Sequence, residues 1–131
     1  MVRKGLLIST VFRLHETLFG IYFVPLMKDF KEEQELRQKL VGRFLKEARE
    51  ESELTQHDVA KKLAYSSPQF VSNWERGVSL PPLDMLPRLA TMFSVQPKKV
   101  IRVMNEYQDE LLTLQKRNLS FIFKKRKSGR A

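Results

Sequence analysis

The stretch from Leu54 to Gly77, LTQHDVAKKLAYSSPQFVSNWERG, constrains the fold more than any other part of the chain. It carries two sets of helix start and stop signals a few residues apart. Thr55 is a good N-cap, because its hydroxyl can accept from the free N–H groups of the turn that follows. Asp58, three residues on, is a shorter relative of the capping-box acid. A first helix therefore opens at Gln56. Val59, Ala60 and Leu63 form its buried stripe, leaving Lys61 and Lys62 toward water. Ala64, Tyr65 and Ser66 make the turn. Ser67 is then read as a second cap, with Pro68 at the first helical position, where its missing N–H costs nothing. Gly77 closes the second helix, at a place suited to a left-handed residue.

The second helix has two distinct faces. Val71, Trp74 and Glu75 lie on one side, while Gln69, Asn73 and Arg76 lie on another at i, i+4, i+7. The Gln and Asn amides can donate and accept together against the N6/N7 edge of adenine, and Arg pairs with guanine or phosphate. Such a face is suited to reading double-stranded DNA, with Ser72 beside it.

Leu54-Thr55-Gln56, the Val59-Ala60-x-x-Leu63 stripe and Val71-Ser72-Asn73-Trp74-Glu75-Arg76-Gly77, with Ala48-Arg49-Glu50 upstream, together resemble the lambda-repressor-like, Cro-type helix-turn-helix family. The likeness covers roughly residues 36–104. It implies an all-α fold: a four- to five-helix domain over residues 27–104, with an N-terminal extension over 1–26 and a longer C-terminal helix over 105–123. It also implies that Gln56, at the positive end of its helix, clamps a phosphate, and that Arg49 and Glu75 pair as scaffold. Base contacts are expected from Gln69, Ser72 and Asn73, and phosphate contacts from Gln56, Lys61, Lys62, Ser67 and Arg76. Two departures from the family stand out. Glu53 occupies a place where the family often has Gly, so either the turn avoids positive φ or Glu53 is mildly strained. One extra residue lies between Leu63 and Val71, which shifts the register of base contacts by one position and puts Phe70 on the reading helix, where packing is favoured over contact with a thymine methyl.

Charge supports a polyanionic partner. The chain has 131 residues, a net charge of +9 and no Cys. Residues 1–35 are neutral overall, whereas 36–104 and 105–131 carry net +5 and +4. The absence of Cys excludes a disulfide framework and a thiolate zinc site, and His15 and His57 have no metal-ligand spacing. No phosphate-cradling glycine loop, paired catalytic carboxylates or nucleophile with a base is found, so no enzyme, cofactor or metal site is expected. A cytoplasmic location is expected, since Arg13, His15 and Glu16 interrupt any signal core or membrane span near the N-terminus.

Outside the central stretch, Leu36, Leu40, Phe44, Leu45 and Ala48 predict a helix over residues 30–51, with Lys39, Arg43, Lys46 and Glu47 on its other face. Leu86, Leu89, Ala90 and Phe93 predict another over 83–93, in which Pro87 is tolerable near the start. Thr10–Gly20 has the pattern of an amphipathic helix. Met27 would be an ordinary family start, so residues 1–26 stand either as an extension without a role in the core or as part of it. The last helix is expected over about 97–117. Its Val100, Met104, Tyr107, Leu111 and Leu114 stripe fits two readings, a coiled-coil seam for a homodimer or packing back onto the domain. A dimer would place two reading helices on half-sites about 34 Å apart and predicts a palindromic operator. The basic run Lys124–Arg130 is expected to be a disordered tail, over 124–131, that adds phosphate contacts. The competing function is an antitoxin that grips a small protein partner and binds DNA for its own regulation; a module for RNA or acidic proteins lacks exposed stacking aromatics.

Overall fold

Five helices follow one another without a strand among the residues described, 28–129, of the computed structural model. The chain divides into two units, Met1–Glu32 and Glu33–Ala131. In the first, residues 28–32 are helical, and Lys28 sits 3.7 Å from Glu32 one turn away. The Thr10–Gly20 helix and the extension over 1–26 lie outside the described residues.

In the second unit, residues 33–37 are helical and lead into a π-turn, Gln38–Gly42. Helix α1 (Arg43–Glu51) continues from it, followed by α2 (Gln56–Lys62), α3 (Gln69–Glu75), a 3₁₀ turn (Leu83–Met85), α4 (Leu86–Met92) and α5 (Pro97–Ser128). The π-turn adds one residue to the helical count, so the buried face steps sideways within it. Val41 is enclosed at 1% exposure, whereas the neighbours Leu36 and Leu40 only flank the core. Strict 3.6 periodicity does not find that step.

The core is one cluster. Val41, Leu45 and Ala48 meet Val59, Ala60 and Leu63 of the α2 region, Val71 and Trp74 of α3, Leu89 and Phe93 of the α4 region, and Tyr107 of α5. It reaches past residue 104, since Tyr107 is buried and Leu111 packs against the cluster. The Val100–Leu114 stripe therefore resolves toward packing on the domain: Met104 and Leu111 are half-buried against the core rather than free as a seam.

Helix ends share one device. Glu53, Ala64, Gly77 and Ser94 all have positive φ, between 53° and 69°. In each case the next residue's N–H donates to the carbonyl five positions back, as from Leu54 to Arg49 at 3.2 Å and from Tyr65 to Ala60 at 2.9 Å. The same bond runs from Val78 to Asn73 and from Val95 to Ala90, both 2.9 Å. This is the Schellman end, satisfying carbonyls that the helix leaves open. Of the two readings for Glu53, the strained one holds. Because an L-residue pays for the left-handed region and glycine does not, Glu53→Gly and Ser94→Gly should each raise stability by about 0.5–1 kcal/mol. Urea denaturation of the two variants checks this; no gain in either would show that other contacts already compensate.

The basic run Lys124–Arg130 departs from expectation. Residues 124–128 are helical, the last turns of a 32-residue α5, rather than disordered. Helix-forming Lys and Arg, and cations at the negative end of the helix, favour that continuation. None of the helices among the described residues is long and apolar enough to cross a membrane.

Candidate nucleic-acid interface

The rear of α3 is fixed before its front is considered. Val71 and Trp74 are 3% exposed and Glu75 7%. Glu75 receives a two-pronged contact from Arg49 of α1, Nε to Oε1 at 2.6 Å and Nη2 to Oε2 at 3.2 Å. Arg49 is itself buried and also donates to the Leu54 carbonyl at 2.7 Å. The hydrogen bond that Arg49 donates to Glu75 raises its already high pKa against the opposing effect of burial. No buried side-chain nitrogen or oxygen among the described residues lacks a hydrogen-bond partner, which is what a buried ion pair needs if it is not to destabilise the fold.

Gly42 explains how α1 approaches so closely. A Cβ there would stand 2.3 Å from the Glu75 carbonyl oxygen, so only glycine lets the two backbones meet. Arg37 secures the far end of α3, its Nη1 donating to the Gly77 and Val78 carbonyls at 3.0 Å each and its Nε to the Tyr107 hydroxyl at 3.4 Å.

The front of α3 carries the polar face. Gln69 and Arg76 are exposed, and Ser72 and Asn73 half-exposed. Asn73 Oδ1 accepts from Gln69 Nε2 at 2.8 Å and from Arg76 Nη2 at 2.9 Å, so the three side chains form one chain along the helix. Asn73 Oδ1 is thereby held by both neighbours, which orients its amide on the helix surface.

The turn preceding α3 differs in detail from expectation. Pro68 is the N-cap residue and the helix begins at Gln69, one position later than the proline-at-N1 reading. Ser67 still serves this end, its Oγ accepting from the Gln69 N–H at 3.4 Å. Residues 63–68 form the turn, and Phe70 projects with half its surface exposed. Its ring stacks on Tyr65 at 4.9 Å, and Tyr65 meets Trp74 edge-on at 5.9 Å. Phe70 thus packs through Tyr65 rather than directly on Trp74.

Helix α2 opens with the capping box, Thr55 Oγ1 accepting from the Asp58 N–H at 3.1 Å and Asp58 Oδ2 accepting from the Thr55 N–H at 2.8 Å. The Thr55 hydroxyl, which also donates to Asp58 Oδ2, and then the Thr55 N–H hold the exposed Asp58 carboxyl below the usual carboxylate range. Gln56 is placed differently from a free phosphate clamp. Its Nε2 donates to Glu75 Oε2 at 2.8 Å, tying it to the Arg49–Glu75 pair and leaving its backbone N–H and amide oxygen at the helix start. Lys61 and Lys62 are exposed on the last turn of α2, apart from the Gln69–Asn73–Arg76 chain.

Three further cations were not singled out by sequence. Lys39, Arg43 and Lys46, at i, i+4, i+7, line a groove of about 410 Å³ together with Gln38 and with Glu75 at the end of α3. Their spacing was legible; that their side adjoins α3 was not, because it depends on the close approach at Gly42. Among the described residues no group of His, Cys, Asp or Glu could hold a metal ion.

A helix with its rear clamped by a buried ion pair and a row of amides and cations in front, preceded by a capped helix and a tight turn, is the arrangement of a groove-reading motif. Residues 45–100 match the model of the helix-turn-helix family. This segment is a lambda-repressor-like helix-turn-helix. No curated protein and no solved structure matches the chain.

Proposed function

We propose that the helix-turn-helix chain is a sequence-specific regulator of transcription that acts as a repressor, docking α3 in the major groove of double-stranded DNA as a homodimer. The observation that carries this reading is the Gln69–Asn73–Arg76 chain, exposed on a helix whose opposite face is held by Arg49, Glu75 and the core. Gln69, Ser72 and Asn73 read base edges, the two amides favouring A·T steps. Gln56, Lys61, Lys62, Ser67 and Arg76 contact phosphates, with Gln56 offering its backbone N–H at the start of α2 while its side chain stays with Glu75. Binding over a promoter blocks polymerase. Repression needs no catalytic group, which suits a face composed of amides and cations.

Selection of bound fragments from the source genome at about physiological salt tests the proposal, because non-specific attraction is weakened there. Enrichment of a short palindrome near promoters, followed by reduced transcription when the protein is supplied, is the expected result. Salt-sensitive binding with no enriched sequence would overturn it.

A further inference from the structure

The outer half of α5 combines exposed apolar side chains with positive charge that no carboxylate offsets. Tyr107 and Leu111 hold the near half to the core; from Leu111 to Ser128 the helix runs on for about 25 Å. The last carboxylate in the sequence is Glu110. After it the chain carries seven Lys and Arg residues, among them Lys116 and the run Lys124–Lys127, and no Asp or Glu. Farther back, Lys98, Lys99 and Arg102 balance Glu106, Asp109 and Glu110, so the excess belongs to the outer half alone.

Leu112, Leu119, Ile122 and Phe123 lie at i, i+7, i+10 and i+11, which places them on one side of the helix. They are 48–62% exposed. Gln115 fills the gap between Leu112 and Leu119, so the stripe is uncharged for about 16 Å. Lys116 and Lys127 border it and Arg126 follows on its line, all three exposed. Phe121, also exposed, stands off the stripe.

We propose that this stripe lies on the surface of an anionic lipid bilayer, its four apolar side chains entering the headgroup boundary and the flanking cations meeting acidic headgroups. A DNA duplex offers phosphates to the same cations but no apolar depth, and leaves Leu112, Leu119, Ile122 and Phe123 in water. A second copy of the chain covers the apolar side, yet its α5 is neutral on one half and basic on the other, so the charge stays uncompensated. An anionic bilayer supplies both an apolar boundary and negative charge. Long Lys and Arg side chains at the border of the stripe keep their stems on the apolar boundary and their charges among the headgroups. The helix lies on the membrane without crossing it, since none among the described residues is long and apolar enough to cross. Because the stripe is carried on turns that extend past the core, lipid can hold the domain without rearranging it.

The full chain is mixed with vesicles of phosphatidylcholine alone, or of phosphatidylcholine with one-third phosphatidylserine, at about 0.15 M salt, and floated on a density gradient. Flotation with the anionic vesicles and none with the neutral ones is expected. Leu119→Gln with Phe123→Gln, which keeps every charge and suits a helix, should lower vesicle affinity by roughly tenfold or more. The chain has no Cys, so an environment-sensitive dye can be attached at Ile122→Cys. Its emission should shift to the blue on anionic vesicles, whereas the same dye at Glu47→Cys, exposed on α1, should not move. Absence of flotation with anionic vesicles overturns the proposal. So does flotation indifferent to Leu119→Gln with Phe123→Gln, which is the ordinary attraction of a basic protein for anions. If Lys124→Gln, Lys125→Gln, Arg126→Gln and Lys127→Gln together weaken binding to an unrelated duplex and leave flotation unchanged, the run serves DNA. If the parent chain sediments as an oligomer that Leu119→Gln with Phe123→Gln dissolves, a second copy covers the stripe. Either result also overturns the proposal. Circular dichroism accompanies each variant, and the dye measurement keeps the test decisive if a variant loses helix.

Discussion

Replacing Arg49 with methionine is expected to destabilise the domain by about 3–5 kcal/mol, the cost of leaving a buried charge without its partner. Glu75 is 7% exposed and would retain only Gln56 Nε2 as a side-chain donor. Small domains have about 5–15 kcal/mol of net stability, so the variant should lose much of its urea resistance. Replacing both partners, Arg49→Met with Glu75→Leu, should recover most of the loss, because an apolar pair of similar volume needs no charge solvation. Urea midpoints of the two variants decide the matter. A single variant within about 1 kcal/mol of the parent would mean that Glu75 escapes to water, and that the pair does not hold α3.

Asn73→Ala should weaken operator binding by about 1–3 kcal/mol at each half-site, the usual cost of spoiling one specific base position. The two half-sites of a dimer would multiply the effect. Asn73 also accepts from Gln69 and Arg76, at 2.8 and 2.9 Å, so its loss frees both neighbours as well. Gln69→Ala should cost less, because the Arg76–Asn73 bond survives it. Neither change should alter binding to unrelated DNA. Lys62→Ala, by contrast, should weaken every sequence alike and lower the salt slope by about 1. Titrations of specific and unrelated duplexes at several salt concentrations separate the classes. Equal losses on both duplexes for Asn73→Ala would remove the base-reading role.

Much of this architecture is local and therefore readable in the sequence. Thr55 and Asp58 are three residues apart, Gly77 ends α3, and the Val71–Trp74–Glu75 side is defined by helical spacing alone. The resemblance also located the Arg49–Glu75 pair, whose partners are 26 residues apart. What was not legible arises where two segments touch. Gly42 looks like an ordinary, mildly unfavourable helix residue until the Glu75 carbonyl stands above it. Val41 is hidden by the π-turn, which breaks the period on which core assignment depends. The bond from Gln56 Nε2 to Glu75 Oε2 spans 19 residues, a pairing that spacing within one helix does not reveal. Ala64 and Ser94 end helices without glycine, because Tyr65 and Val95, each packed on the core, follow them and hold the backbone over. The composition of the basic terminus reports solvation and says little about whether a long helix preceding it will stop.

Arg37, Val41 and Tyr107 carry a consequence for where the folding unit begins and ends. The family match covers residues 45–100, yet Val41 and Tyr107 are two of the three largest fully buried side chains, and both lie outside it. Arg37 joins the same two margins, reaching from the helix before the match to the Tyr107 hydroxyl beyond it. A polypeptide trimmed to the recognisable segment would keep every residue proposed to touch DNA and still open a cavity at each end of its core. In this chain the recognisable motif is smaller than the object that folds, and gene fusions or shuffling that respect only the motif's borders would cut through the hydrophobic core.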